Sequence, residues 1–99
     1  MKEVSEEDVW KALANVMHPE IDSSLVDLGM IKDVAINRNK VSVTLALPFL
    51  GVPIRGYLVD VIREAVTKLG VDVDVEITEM NEEEVKAFLN MEREKWKGI

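Results

Sequence analysis

Few residues in this chain have side chains that could do chemistry, and the strongest candidates lie between positions 18 and 27. The chain's one histidine stands in the corner His18-Pro19-Glu20, and a further carboxylate, Asp27, follows seven residues after Glu20. Glu20 and Asp27 could act as a general acid and base, although carboxylates are common in loops without any catalytic role. A lone histidine where a helix ends is most simply a favourable charge for the helix dipole.

The absence of cysteine removes whole classes of chemistry. With no cysteine among its 99 residues, the chain has no disulfide, no thiol nucleophile, no cysteine-ligated zinc and no iron–sulfur cluster held by its own thiolates. No serine lies in a nucleophile elbow either. The sequence therefore predicts no catalytic residue, no metal ligand and no cofactor.

Two clusters of acidic residues invite interpretation as cation sites. Asp72, Asp74 and Glu76 alternate with apolar residues, so they would lie on one face of a strand, about 7 Å apart and pointing into solvent. The second cluster, residues 82–84, is typical of the first turn of a helix, where carboxylates meet the positive end of the dipole. Both clusters are interpreted as solvated surface.

An uncharged segment between two prolines is the most informative part of the chain. It consists of Pro48, Phe49, Leu50, Gly51, Val52 and Pro53. Surface connections usually carry polar side chains, so two interpretations stay open. Either the apolar side chains fold back onto the core, or they form a half-exposed site at the start of the next helix, where free backbone N–H groups await an anion or a protein partner.

The spacing of apolar residues predicts the helices that precede this segment. A first helix, capped by Ser5 with Asp8, ends at Pro19, because the residue before a proline avoids the helical conformation. Its inward face carries Val9, Trp10, Leu13, Val16 and Met17. Residues 24–28 form one further helical turn, which Gly29 stops with a backbone conformation that is costly for other residues.

Alternating apolar and polar residues predict three strands, around Val34 and Ile36, from Val41 to Leu47, and from Val71 to Ile77. Asparagines in the turn at 37–40 tolerate a positive φ and join the first two strands into a hairpin. A helix from Pro53 to Leu69 precedes the third strand. A last helix, at about 82–95, is capped by Asn81 and faces inward with Val85, Phe88 and Leu89.

This order of elements predicts an α+β fold. We expect one domain over residues 1–99, built as a two-layer sandwich in the order α-β-β-α-β-α, with a three-stranded mixed sheet and its helices on one face.

The net charge and the hydropathy of the sequence limit the classes of partner that the chain could bind. The net charge of −7 and the scattered basic residues argue against nucleic acid. No apolar run approaches the length of a membrane span, and the acidic start lacks the basic flank of a signal peptide. We therefore expect a cytoplasmic protein without a membrane partner.

Three segments of the sequence resemble one protein family. They are residues 16–21 (Val-Met-His-Pro-Glu-Ile), residues 25–31 (Leu-Val-Asp-Leu-Gly-Met-Ile), and the strand at 41–47 that leads into a proline-containing loop and a helix. Together they resemble the PaaD-like and SufT-like iron–sulfur assembly family, whose domain also precedes the ATPase of Mrp/ApbC-type cluster carriers. The likeness covers about residues 9–77, and it implies a small α+β sandwich.

The resemblance also implies a binding pocket. Carried over residue by residue, it would comprise Pro19, Glu20, Asp27, Leu28, Gly29, Thr44 and the loop that ends at Pro53. In the family, this loop commonly has a cysteine immediately before its last proline, whereas this chain has Val52. His18 stands where the family has aspartate, and Thr78-Glu79-Met80-Asn81 replaces a Pro-Pro-Trp segment.

These departures favour a non-enzymatic accessory or adaptor domain that does not itself ligate a cluster. Its partners would be iron–sulfur assembly proteins or apo-client proteins, and the alternative of a homodimer stays open. Two alternatives remain, a carboxylate-dependent enzyme using Glu20 and Asp27, and an interaction module outside cluster metabolism. For Asp27, we expect a carboxylate that accepts backbone N–H hydrogen bonds.

Overall fold

Helices and strands follow one another in the order α-β-β-α-β-α, which confirms the fold class expected from the hydrophobic spacing. The structure is a computed structural model and describes residues 4–96. Its elements are α1 (Glu6–Leu13), β1 (Ile31–Asn37), β2 (Lys40–Leu47), α2 (Arg55–Thr67), β3 (Asp72–Glu79) and α3 (Glu82–Lys95).

The three strands form one mixed sheet with β2 in the centre. β1 pairs with β2 antiparallel and β3 pairs with β2 parallel, so that Val34, Val43 and Val75 stand side by side on one face. A parallel pair needs a crossover connection, and α2 supplies it. Buried residues of α1 and α2 cover this apolar face, among them Leu13 and Ile62.

The opposite face of the sheet is polar. Asp72, Asp74 and Glu76 are exposed on it, and Asp74 forms an ion pair with Lys40 at 2.8 Å. Among residues 4–96, no three His, Cys, Asp or Glu side chains are grouped in a way that could hold a metal ion. Because its side chains are exposed, the acidic alternation is a solvated strand face, as the sequence indicates.

Capping boxes begin α1 and α3, as predicted. The Asp8 N–H donates to Ser5 Oγ at 3.1 Å, and the Ser5 N–H donates back to Asp8 Oδ2 at 3.0 Å. Asn81 and Glu84 make the same reciprocal pair at 2.8 and 2.9 Å. A cap of this kind contributes about 1 kcal/mol.

The predicted end of the first helix is wrong. α1 ends at Leu13, and residues 16–18 instead run antiparallel to residues 23–25: the Leu25 N–H donates to the Val16 carbonyl at 2.9 Å, and the His18 N–H donates to the Ser23 carbonyl at 3.0 Å. Pro19 favours this outcome, because it holds the preceding residue out of the helical conformation. Val16 is consequently only half-buried and Met17 is exposed.

α3 lies beside the end of the sheet at which β2 and β3 finish. There the Met80 N–H donates to the Leu47 carbonyl at 2.7 Å, and Phe88 of α3 is buried. No helix within residues 4–96 is both long and apolar enough to cross a membrane.

Candidate functional site

The loop after β2 presents apolar side chains to solvent. Phe49 is 54% exposed and Leu50 is 48% exposed, whereas Val52 is half-buried and packs against the core. The loop therefore combines the two interpretations left open by its composition. Its tip, formed by Phe49 and Leu50, is a surface, whereas Val52 returns to the interior.

The loop leads into α2 without a polar cap. α2 begins at Arg55, two residues later than Pro53 predicts, and no side chain caps its N-terminus. The Arg55 N–H donates to the Val52 carbonyl at 3.1 Å, and its guanidinium donates to the Leu50 carbonyl at 3.4 Å. These two hydrogen bonds hold the loop against the first turn of the helix.

The corner at His18 is built around a buried imidazole. His18 is 5% exposed, and its Nδ1 accepts a hydrogen bond from the Glu20 N–H at 3.0 Å. An accepting Nδ1 leaves the proton of a neutral imidazole on Nε2. Because α1 ends at Leu13, the interpretation of His18 as a helix-terminal charge is wrong. The ring fixes the path of the backbone that carries Glu20.

Residues 24–28 form one helical turn that Gly29 ends, as predicted. Ser24 Oγ accepts from the Asp27 N–H at 3.0 Å, and the Leu28 N–H donates to the Ser24 carbonyl at 3.0 Å. At the other end, the Gly29 N–H donates to the Val26 carbonyl and the Met30 N–H donates to the Leu25 carbonyl. This pair of bonds is a Schellman motif, and Gly29 accordingly has φ +76°.

The expectation for Asp27 is wrong. Its side chain is exposed, and among the hydrogen bonds of residues 4–96 its carboxylate accepts none. Asp27 instead uses its backbone N–H as a donor to Ser24. The residue occupies the third position of a short helical turn, which aims a carboxylate outward.

A cavity of about 500 Å³ lies between the corner, the loop and α3. Of the candidate site residues, the structure places four on its lining: Glu20, Phe49, Val52 and Pro53. Met30 and Phe88 are buried members of the same lining.

The remaining candidates lie elsewhere. None of Pro19, Asp27, Leu28, Gly29, Thr44, Leu50 and Gly51 is among the residues that line this cavity. Leu28 is a buried core residue. Thr44 stands in register with Asp33 and Glu76, on the polar face of the sheet. Glu20 and Asp27 therefore do not share this cavity.

α3 contributes lining residues that sequence reasoning missed. Besides Phe88, they are Val85, Leu89 and Glu92, and Trp96, which directly follows the last residue of α3, also lines the cavity. Leu89 was expected to face inward but is exposed at the rim, as is Trp96. A tryptophan at the charged end of a helix is the one signal in the sequence that could have pointed to this wall.

Comparison with known proteins identifies the family. The profile of the iron–sulfur cluster assembly protein family matches residues 6–79. The chain belongs to this family. α3 follows the matched range.

Two curated proteins are similar in sequence to the chain. It is 43% identical over 72 residues to an iron–sulfur cluster carrier protein of Synechocystis, in an alignment that covers 71% of this chain and 20% of that protein. The chain thus spans about a fifth of that relative's length. It is 30% identical over 78 residues to the Fe-S protein maturation auxiliary factor YitW of Bacillus subtilis, covering 78% of this chain and 76% of the relative.

Solved structures share the fold. A DUF59 domain from Bacillus anthracis superposes with a TM-score of 0.71 at 21% identity, over 87% of this chain and 92% of that one. A conserved hypothetical protein from Thermotoga maritima gives a TM-score of 0.70 at 33% identity, over 82% of both chains. The fold described above is thus shared with both solved structures over most of the chain.

Proposed function

We propose that this chain is a non-enzymatic adaptor in the maturation of iron–sulfur proteins, and that it docks a protein partner through the loop at residues 48–53. The observation that carries the proposal is the exposure of Phe49 and Leu50 at the tip of that loop. Large apolar side chains standing together in solvent are typical of a protein-binding surface. Family membership and the names of the two relatives support iron–sulfur assembly proteins or apo-client proteins as the partner class.

The ligand chemistry of the chain supports an adaptor rather than a cluster scaffold. Iron–sulfur clusters are held chiefly by cysteine thiolates, and the sequence offers only methionine thioethers, one imidazole and carboxylates. The position before Pro53 holds valine, and that side chain packs against the core. On this proposal, a cluster passes between partner proteins and is never ligated by this chain.

The arrangement of carboxylates also supports a non-enzymatic role. Glu20 lines the cavity beside the loop, whereas Asp27 projects from a separate helical turn and does not line it. An acid–base pair must converge on one substrate, so the pair suggested by the sequence lacks a common site here.

Affinity capture with matched variants tests the proposal. A tagged wild-type chain would be expressed in its native cell beside Phe49→Ser, Leu50→Ser and the control Tyr57→Ser, and captured proteins would be identified by mass spectrometry. Tyr57 is a suitable control, because it is 47% exposed but lies on α2 and outside the loop. We expect identified iron–sulfur assembly or client proteins with the wild type and the control, and about tenfold less with the loop variants.

Thermal unfolding separates docking from folding in the same experiment. Because Phe49 and Leu50 are exposed, their replacement should leave the transition within a few degrees of the wild type, as is usual for surface substitutions (about ±0.5 kcal/mol). Equal capture by loop variants and wild type would refute docking through the loop. A set of captured proteins without any iron–sulfur protein would refute the assignment to cluster maturation.

A further inference from the structure

The cavity beside the loop has an apolar floor and an aromatic rim. Met30 and Phe88 are buried at its base, and Phe49 and Trp96 stand half-exposed at its edge. Its volume of about 500 Å³ is within the range of sites that enclose a small ligand or a few side chains. The shape suits a bulky apolar side chain brought by a partner.

The charged residues of this cavity all have one sign. Glu20 and Glu92 contribute to the lining, and no lysine or arginine of residues 4–96 does. Neither carboxylate belongs to the ion pairs formed within that part of the chain. The third polar lining residue is His18, whose Nδ1 is already engaged by the Glu20 N–H. An occupant would therefore meet two carboxylates and one imidazole among apolar side chains.

The α3 wall of the cavity is fixed at both ends. At its C-terminal end, the Asp22 N–H donates to the Lys95 carbonyl at 2.8 Å, and Ile21 pairs with Trp96. At its N-terminal end, Glu84 forms an ion pair with Lys32 of β1 at 3.4 Å. A wall that is held in place before binding reduces the entropic cost of association.

We propose that this cavity binds a protein segment in which a bulky apolar side chain is flanked by lysine or arginine. The apolar side chain enters between Phe49, Phe88 and Trp96, and the flanking cation pairs with Glu20 and Glu92. This inference rests on the proposed function, since it gives the chemistry of the partner that docks at the loop. The chain's net charge of −7 attracts a basic segment over a distance and orients its approach.

Charge complementarity favours such a segment over a second copy of the chain. In a two-fold symmetric dimer formed through this cavity, the same surface occurs on both subunits. The glutamates of one copy would then face those of the other, between chains that each carry a charge of −7. Like charges across an interface oppose association.

Three synthetic peptides test the proposal in NMR titrations of the 99-residue chain. They are Ser-Lys-Phe-Lys-Ser, Ser-Glu-Phe-Glu-Ser and Ser-Lys-Ser-Lys-Ser, each acetylated and amidated. We expect saturable shifts at Phe49, Leu89 and the Trp96 indole with the first peptide only. Its affinity should fall as salt rises from about 0.01 M to about 0.15 M, because the Debye length shortens from about 30 Å to about 8 Å.

Matched variants locate the charge effect. Glu20→Gln and Glu92→Gln should each weaken binding of the lysine–phenylalanine peptide by about two- to fivefold, as expected for one half-exposed ion pair. Glu94→Gln changes the net charge equally, on the same helix but outside the cavity lining, and should leave the affinity unchanged.

Several results would overturn the proposal. They are equal binding of the acidic peptide, absence of saturable shifts up to about 5 mM peptide, equal weakening by Glu94→Gln, or sedimentation of the free chain as a dimer that Trp96→Ser dissociates.

Capture with the double variant Glu20→Gln/Glu92→Gln separates this inference from the proposed function. If that variant loses peptide binding but retains its iron–sulfur partners, the cavity inference is wrong and the adaptor function stands. If the peptide binds as expected but no iron–sulfur protein is captured, the cavity inference stands and the adaptor function is wrong.

Discussion

Replacing Gly29 by alanine isolates the free-energy cost of one backbone conformation. Gly29 has φ +76°, and a Cβ built at this position meets no heavy atom within 4 Å. A steric clash is thereby excluded, and only the left-handed conformation opposes the substitution. That conformation lowers the free energy of unfolding by about 1–2 kcal/mol for an L-residue. The smaller conformational freedom of alanine in the unfolded chain raises it by about 0.4–1 kcal/mol. From the middle of both ranges, we expect Gly29→Ala to lower the free energy of unfolding by about 0.8 kcal/mol.

Gly56 provides a matched control of opposite sign. It lies in the first turn of α2, has no positive φ, and a Cβ built there also meets no heavy atom within 4 Å. The same substitution should therefore stabilise the chain by about 0.5–1 kcal/mol, through helix propensity and the unfolded state. Opposite signs for two chemically identical changes would show that the backbone conformation at each position, and not the added methyl group, decides the effect.

Urea denaturation followed by circular dichroism measures both variants. The denaturant dependence should stay that of the wild type, since neither change alters the surface exposed on unfolding. In thermal unfolding, about 1 kcal/mol corresponds to roughly 4–8 °C for a domain of this size. A change below about 0.5 kcal/mol in Gly29→Ala, or the same sign in both variants, would refute the reasoning.

Three further expectations follow from the structure. Arg38 has φ +59° in the hairpin turn, so Arg38→Gly should raise the free energy of unfolding in urea by about 1 kcal/mol, and no gain would contradict strain there. The hydrogen bond from the Asn81 N–H, and secondarily the charge of Lys32, lowers the pKa of Glu84. The ionised Glu84 therefore stabilises the fold above the ordinary carboxyl pKa, and this stabilisation is lost as the pH falls through the pKa of Glu84 in the folded chain. Glu84→Gln should reduce the loss of unfolding free energy at acid pH. Anaerobic reconstitution with iron and sulfide should leave the wild type colourless after desalting, whereas Val52→Cys should react with alkylating reagents at neutral pH; a stoichiometric chromophore on the wild type would contradict the non-ligating role.

Alternation of apolar and polar residues predicted the sheet because one face of each strand is buried and the other is exposed to solvent. Val41 to Leu47 follow this rule until Ala46, which is buried although it lies on the polar face. The turn between β1 and β2 was located correctly, but its positive φ falls on Arg38 and not on an asparagine. Hairpin position follows from local sequence, whereas the residue that bears the strain depends on how the two strands pair.

Helical spacing failed where a competing pairing exists. Val16 and Met17 continue the apolar face of α1 in sequence, yet their backbone pairs with residues 23–25. That pairing joins segments on either side of Pro19, and no periodicity in a single segment reveals it. The burial of His18 is a consequence of the same pairing, and it too was beyond local reasoning.

The cavity shows where sequence reasoning stops for the site. Its lining comes from His18, Glu20, Met30, residues within 48–54, and residues between Val85 and Trp96. Only the tertiary fold brings these segments together. The family profile ends at residue 79, whereas Glu92 and Trp96 lie beyond it. A chain that shared only the matched core would keep the loop and the corner but lack this wall and half of the cavity's charge. The residues that select a basic, apolar partner segment are therefore divided between the family core and a helix that the family match does not include.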